Sequence, residues 1–139
     1  MIINAKGLIM GKLASKVSEK LLKGERIEIV NAEQVLITGT KEFIIKRYNK
    51  KRNASVKSNP RFGPKYPRKP DALLKKAITG MLPKKTKRGT EAKKRLKIYI
   101  REPKELNKEK FVSIKEAQSK TNEKTWKLGE ISRLLGAKW

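Results

Sequence analysis

The first 30 residues alternate between strand and helix patterns, and this order restricts the fold more than any other feature of the chain. Met1 to Asn4 is a short apolar run, and Gly11 to Leu22 places apolar residues four apart on one helical face. Gly24 supplies a helix stop, after which Arg26 to Val30 alternates like a strand. Two strands separated by one helix imply a parallel pair joined by a right-handed crossover. The sequence therefore predicts an α/β fold.

Further short elements follow this unit. Val35 to Ile37 predicts another strand, and the turn after it precedes a helix that carries Phe43, Ile44 and Tyr48. Because charged residues continue after Tyr48 without a break, this helix is expected to run into a basic segment.

The region after that segment predicts two helices and a strand. Asp71 is the expected N-cap of a helix that ends near Met81. A second helix is predicted to start at Thr90 and to cover Ala92 to Leu96. Ile98 to Ile100 is a compact strand candidate that could complete a small sheet.

The pattern weakens after Pro103, which divides the chain into two predicted parts. Residues 1–103 form the α/β domain, and residues 104–139 form a helical C-terminal extension that includes a helix capped by Ser113. Four apolar residues of the extension form a stripe that is either ordinary core or a docking face for a neighbouring protein: Leu128, Ile131, Leu134 and Leu135.

Positive charge is concentrated in the middle third of the chain. The 139 residues contain 37 Lys and Arg against 13 Asp and Glu, a net charge of +24. Residues 43–90 hold 16 of the basic residues and 1 of the acidic ones, so they supply 16 − 1 = +15 of that total. A soluble surface normally mixes the two signs, and a one-signed excess is typical of proteins that neutralise nucleic-acid phosphates.

The composition excludes most active sites. With no Cys and no His, the chain lacks a thiol nucleophile, the commonest general base and the commonest metal ligand. The segment from Gly7 to Leu13 has three residues between its glycines and a Leu after Lys12, whereas a phosphate-binding P-loop needs four residues and a Ser or Thr. We expect no enzyme, metal, cofactor or small-molecule substrate. Without a signal peptide or an apolar membrane segment, the protein is predicted to be cytosolic.

Residues 46–70 are predicted to form a basic extended arm. Its prolines recur at Pro60, Pro64, Pro67 and Pro70, a spacing that blocks helix formation. Phe62 and Tyr66 could stack on unpaired bases, or they could hold the arm against its own domain. Because Pro and Lys without apolar partners cannot offset the entropy of ordering, we expect the arm to become ordered only on RNA.

The candidate RNA contacts are the cations and aromatic side chains of the arm, the cations of the 84–95 segment, and one lysine at the start of the first helix. They are Lys12, Lys46, Arg47, Lys50, Lys51, Arg52, Lys57, Arg61, Phe62, Lys65, Tyr66, Arg68, Lys69, Lys84, Lys85, Lys87, Arg88 and Arg95.

Four ordered blocks within residues 1–103 resemble one protein family. They are Gly11–Ser15 with Leu21–Gly24, Val30–Glu33 with Ile37–Gly39, Asn59–Pro64 with Arg68–Asp71, and Gly80–Gly89 with Leu96–Tyr99. Together these blocks resemble the thirteenth-protein family of the large ribosomal subunit in its archaeal and eukaryotic form. Lys12 and Thr79 stand where that family usually has Arg, and Lys84 replaces a frequent His. Because Thr79 lacks the positive charge of that Arg, it is not predicted to contact RNA.

The resemblance implies a three-layer α/β/α domain on a four-stranded parallel sheet. It also implies a non-catalytic protein of the cytoplasmic large ribosomal subunit that binds ribosomal RNA, abuts neighbouring ribosomal proteins and supports early subunit assembly and translation. Two alternatives stay open. One is a general RNA-binding or polyanion-binding protein, and the other is a secondary role in messenger RNA binding and translational repression, as in some eukaryotic relatives.

Overall fold

The computed structural model describes residues 1–103, 111–119 and 124–139, and these residues form short strands alternating with helices. The strands are Ile2–Asn4 (β1), Ile27–Val30 (β2), Leu36–Thr38 (β3), Leu96–Ile98 (β4), Phe111–Val112 (β5) and Thr125–Lys127 (β6). The helices are Met10–Leu22 (α1), Lys41–Asn53 (α2), Pro70–Gly80 (α3), Lys87–Lys94 (α4) and Leu128–Leu134 (α5).

Four strands form one parallel sheet in the order β4-β2-β1-β5. Ile3 of β1 lies beside Ile29 of β2, and Ile27 of β2 lies beside Leu96 of β4. Helix α1 makes the crossover from β1 to β2, which confirms the strand, helix and strand predicted from the first 30 residues. The predicted α/β class with a small parallel sheet is confirmed as well.

The core lies between one face of this sheet and the helices. Ile3, Ile27 and Ile29 share a face because side chains alternate along a strand, and all three are fully buried. The apolar stripe of α1, represented by Leu13 and Val17, is buried with them. Helix α1 packs against α3 and α4, so the first crossover helix lies in the middle of the domain.

The predicted strand around Val35 to Ile37 exists as β3, but it does not join the parallel sheet. It pairs antiparallel with β6, with Ile37 beside Trp126. The fourth strand of the parallel sheet is instead β5, which lies beside β1. Strand β6 was not predicted from the sequence. It has three residues, of which Trp126 alone is apolar, and this is too short to show the alternation of apolar and polar residues that identifies a strand.

Three helix boundaries differ from the predictions. Pro70 occupies the first position of α3, which leaves Asp71 inside the helix and unable to cap it. Helix α4 begins before Thr90, because the Thr86 side chain accepts a hydrogen bond from the Gly89 N–H at 3.2 Å. The predicted helix after Ser113 is a single 3₁₀ turn over Lys115–Ala117.

The last predicted helix and strand of the domain also shift. The helix expected over 92–96 ends at Lys94, and Leu96 begins the strand that the sequence placed at 98–100. The basic arm starts later than residue 46, because α2 stays helical through Asn53.

The described residues after 103 do not form a separate core. Strand β5 completes the parallel sheet, and β6 pairs with β3. Leu128 and Ile131 of α5 are fully buried in the same cluster as the residues of β1 and α1. The two predicted parts of the chain therefore share one interior, and the extension contains strands as well as a helix.

Candidate nucleic-acid interface

Helix α2 presents a row of cations on the outside of the domain. Ile44 and Tyr48, four residues apart, turn one side of the helix toward the core. The remaining sides carry Lys46, Arg47, Lys50, Lys51 and Arg52, of which all but Arg52 are exposed. The last three lie in the final turn, where the partial negative charge of the helix C-terminus favours cations. The helix thus fixes in place a basic surface that the sequence assigned to an extended arm.

The arm proper covers residues 54–69 and follows α2 directly. Its regular structure among these residues is one 3₁₀ turn at Pro60–Phe62, in which the Asn59 side chain accepts a hydrogen bond from the Arg61 N–H at 3.1 Å. The cations Lys57, Lys65 and Lys69 of the arm are exposed, as are Arg61 and Arg68.

The two aromatic side chains of the arm occupy different environments. Tyr66 packs against Tyr48 with the ring centroids 5.7 Å apart, and the Lys76 ammonium lies 4.1 Å from its ring centroid. Phe62 is 79% exposed. Of the two roles considered from the sequence, Tyr66 therefore has the contacts of an anchor to its own domain, while Phe62 keeps a free ring.

Burial perturbs the tyrosine pair. Tyr48 is 8% exposed, and this burial raises its pKa to about 12, with a smaller contribution from the neighbouring Tyr66. Burial also raises the pKa of Tyr66. Both hydroxyls stay protonated at neutral pH, so this contact adds no negative charge to the basic surface.

Helix α5 holds both ends of the arm. The Arg52 Nη1 donates to the Leu135 carbonyl at 2.9 Å, and the Ser132 Oγ donates to the Arg68 carbonyl at 2.6 Å. The Trp139 Nε1 in turn donates to the Ser132 Oγ at 3.2 Å. Residues far apart in sequence thus fix where the arm leaves the domain and where it returns.

A second group of cations surrounds the N-terminus of α4. Lys84, Lys85, Lys87 and Arg88 are all exposed. Arg88 also donates from its Nη2 to the Leu22 carbonyl at the end of α1, at 3.1 Å, which ties the two helices together. Gly89 is buried against the Pro83 carbonyl and allows α4 to approach the preceding segment closely.

The ion pairs between described residues all lie outside residues 43–90. They are Lys16–Glu116 at 2.6 Å, Lys23–Glu19 at 2.8 Å, Arg95–Glu91 at 3.4 Å, Arg101–Glu33 at 3.8 Å and Lys97–Glu28 at 3.9 Å. In the first of these the hydrogen bond to Glu116 raises the pKa of Lys16. The surface is therefore divided into a part of mixed charge and a part whose cations form no ion pair with the acidic side chains of the described residues.

The candidate residues outside these two groups lie apart from them. Lys12 is exposed in the first turn of α1. Arg95 follows α4 and pairs with Glu91 on the mixed-charge part of the surface. Its guanidinium is less available to a phosphate than the unpaired cations of α2.

The proposed docking stripe of the extension is mostly interior. Leu128 and Ile131 are fully buried and Leu135 is 4% exposed, because α5 packs against α2, α3 and the turn at Ala32–Gln34. The core alternative for these three residues is therefore what the structure shows, and their use as a docking face is corrected. Leu134 is 51% exposed and remains available to a partner.

One cluster of cations around an aromatic ring was not predicted from the sequence. The guanidinium carbons of Arg133 and Arg101 lie 5.1 and 5.8 Å from the Trp139 ring centroid. The signal was weak because these residues come from three separate segments. Trp139 lies six residues after Arg133 in the sequence, and this spacing was the available hint.

Two further observations concern metal binding and membrane insertion of the described residues. They contain no group of three acidic side chains placed to share a metal ion. None of the helices they form has the length and apolar character that a membrane crossing requires.

The fold and the site define the class as small basic α/β proteins with a parallel sheet, a cationic helix and a cationic arm. The family model for ribosomal protein L13 matches residues 1–105. The chain belongs to this family.

Three archaeal relatives illustrate the similarity, and each is a large ribosomal subunit protein uL13. That of Methanosphaera stadtmanae is 45% identical over 139 residues, which is 99% of this chain and 98% of the relative. That of Methanocaldococcus jannaschii is 47% identical with the same coverage. That of Picrophilus torridus is 47% identical over 134 residues, 96% of this chain and 95% of the relative.

Proposed function

We propose that this protein is a structural constituent of the large ribosomal subunit in the cytoplasm and binds ribosomal RNA. The observation that carries the proposal is the match to large-subunit relatives over nearly the full length of both chains. The divided surface supports it, since the cations of residues 43–90 have no acidic partners among the described residues. Membership of this family assigns the protein a structural rather than an enzymatic role.

The mechanism we propose is charge neutralisation combined with shape. Lysine and arginine side chains of α2, the arm and the 84–88 segment each meet phosphates of different RNA segments. Because α5 fixes both ends of the arm, these contacts have a set spacing, and RNA segments that bind to all three are held in one arrangement. Such bridging would favour early subunit assembly.

Neighbouring ribosomal proteins are the second class of partner in this proposal. The exposed Leu134 and the mixed-charge surface around α1 are the candidate contact regions. They lack the one-signed charge that a phosphate contact uses, so they suit protein neighbours better than RNA.

Sedimentation of the tagged protein from cell lysate tests this function. We expect co-migration with large subunits at moderate salt that persists at high salt. Migration as a free protein would contradict the proposal. Migration with bulk nucleic acid would instead support a general polyanion binder, and release into the messenger RNA fractions alone would support the repressor role.

The salt dependence of RNA binding tests the assignment of α2. Replacing Lys46, Arg47, Lys50 and Lys51 by Gln should reduce the slope of log K against log salt by about 3, since each lost phosphate contact contributes about 0.7 to 0.9. The measurement is binding to ribosomal RNA at several salt concentrations.

A control variant removes the same number of cations from the mixed-charge surface. Replacing Lys16, Lys20, Lys23 and Lys97 by Gln should leave the slope nearly unchanged. Equal slopes for the two variants would show that α2 is not part of the RNA interface.

A further inference from the structure

A cavity of about 320 Å³ lies between the end of α2 and the arm where it folds back. Four cations contribute to its wall, namely Arg52, Arg61, Lys65 and Arg68, and the described residues that line it include no carboxylate. Pro64 and Tyr66 supply an apolar part of the wall.

Specific contacts give the cavity its shape. Gly63 lies so close to the chain at Ala54 and Ser55 that an added Cβ would be 3.0 Å from backbone atoms of both. The Asn59 side chain holds the backbone of Arg61, and Tyr66 is held by Tyr48 and Lys76. These contacts fold the arm back toward the end of α2, beside the cavity.

The positive charge of the cavity wall favours an anionic ligand. Four cationic residues in the wall of one cavity give it a positive potential, and an anion bound there is stabilised by that potential. Guanidinium groups match the geometry of phosphate oxygens with two parallel hydrogen bonds. The Arg61 and Arg68 side chains are exposed, whereas Arg52 already donates one hydrogen bond to the Leu135 carbonyl.

The size of the cavity indicates a ligand larger than an inorganic anion. Its volume is at the lower end of the range of about 300 to 1,000 Å³ in which proteins hold small organic ligands. Pro64 and Tyr66 would be unused by a bare phosphate, but they suit the sugar or base of a nucleotide.

We propose that this cavity binds one unpaired nucleotide of RNA. Its phosphate lies on the guanidinium groups of Arg61 and Arg68, and its sugar or base lies against Pro64 and Tyr66. This inference rests on the proposed RNA-binding function and narrows it to one site.

The absence of cysteine from the sequence permits a direct test on the full-length protein. Ser55→Cys places a single thiol on the cavity wall, and Ser58→Cys places one on the exposed arm outside it. The rate of thiol modification is measured with and without a uridine trinucleotide. We expect the trinucleotide to slow modification at least about tenfold at position 55 and less than about twofold at position 58.

Two results would overturn the assignment. Equal protection at both positions would mean that RNA covers the arm without entering the cavity. Equal protection of position 55 by inorganic phosphate at the same concentration would mean that the site takes a free anion and not a nucleotide.

A second pair of variants separates this inference from the proposed function. Ser55→Phe fills the cavity without changing charge, and Ser58→Phe adds the same ring outside it; unchanged melting temperatures verify that both fold. We expect the trinucleotide affinity to fall about tenfold for Ser55→Phe and to stay within about twofold for Ser58→Phe. If the wild-type protein binds ribosomal RNA but the two variants bind the trinucleotide equally, the cavity is excluded and the function stands. If the wild-type protein does not bind ribosomal RNA, the function itself fails.

Discussion

Gly89 is the glycine whose neighbours leave the least room for an added Cβ. It lies inside α4, and a Cβ built there would be 1.7 Å from the Pro83 carbonyl oxygen. Gly89→Ala should lower the free energy of unfolding by about 2 kcal/mol or more, since α4 must move away from the Pro83 segment. Urea denaturation of the variant measures this loss.

Gly11→Ala is the matched control. Gly11 also lies in a helix, but nothing lies within 4 Å of its added Cβ. The substitution should raise stability by about 0.5 to 1 kcal/mol through helix propensity alone. Equal effects at the two glycines would contradict the close approach at Pro83.

Tyr48 makes stability depend on alkaline pH. Its pKa is raised from 10.0 to about 12 by burial, so the folded state holds the proton more tightly than the unfolded state. The resulting stability is fully present below pH 10 and is lost as pH rises toward 12, by up to about 3 kcal/mol. Tyr48→Phe should remove this part of the pH dependence. Denaturant unfolding between pH 9 and 11.5 tests it, and parallel curves for the two proteins would contradict it.

Among the elements, the arm is the one whose order we expect to depend on RNA. Residues 53–62 are all exposed, and fixing each backbone costs about 1 to 2 kcal/mol of entropy. In the free protein, amides 54–62 should exchange with solvent at nearly unprotected rates, whereas those near Ile44 in α2 should be protected. Ribosomal RNA should slow exchange in the arm. Protected arm amides in the free protein would show that it is ordered without RNA.

The sequence predicts elements where the pattern is local and long. Helix α1 repeats its apolar residues over three turns, and the basic surface is visible because residues 43–70 contain no acid. Strands β3 and β6 are short, and their paired residues lie almost 90 positions apart in the sequence. Local periodicity therefore cannot predict this pairing. The hydrogen bond from Ser132 to Arg68 is equally invisible, although it positions the arm. Composition thus indicated which residues are candidates for RNA contact, while long-range contacts decide how they are arranged.

At the scale of the whole molecule, described residues after 103 contribute side chains to the structural core. Removing residues 104–139 takes away β5, β6 and the buried Leu128, Ile131 and Leu135. Each such side chain contributes about 1.5 to 3 kcal/mol, and the sum is comparable with the whole stability of a typical domain. The 1–103 fragment should therefore lack a cooperative thermal transition when followed by circular dichroism. A sharp transition like that of the full chain would support the division at residue 103.

The position of α5 near the end of the described chain also affects how the protein is made. Every element that α5 contacts is synthesised before it, and at roughly 5 to 20 residues per second the earlier segments wait for seconds without this helix. During that time neither end of the arm has its hydrogen-bond partner at Leu135 or Ser132. A nascent chain in which α5 has not yet formed therefore has the cations of α2 and the arm without the two hydrogen bonds that position them.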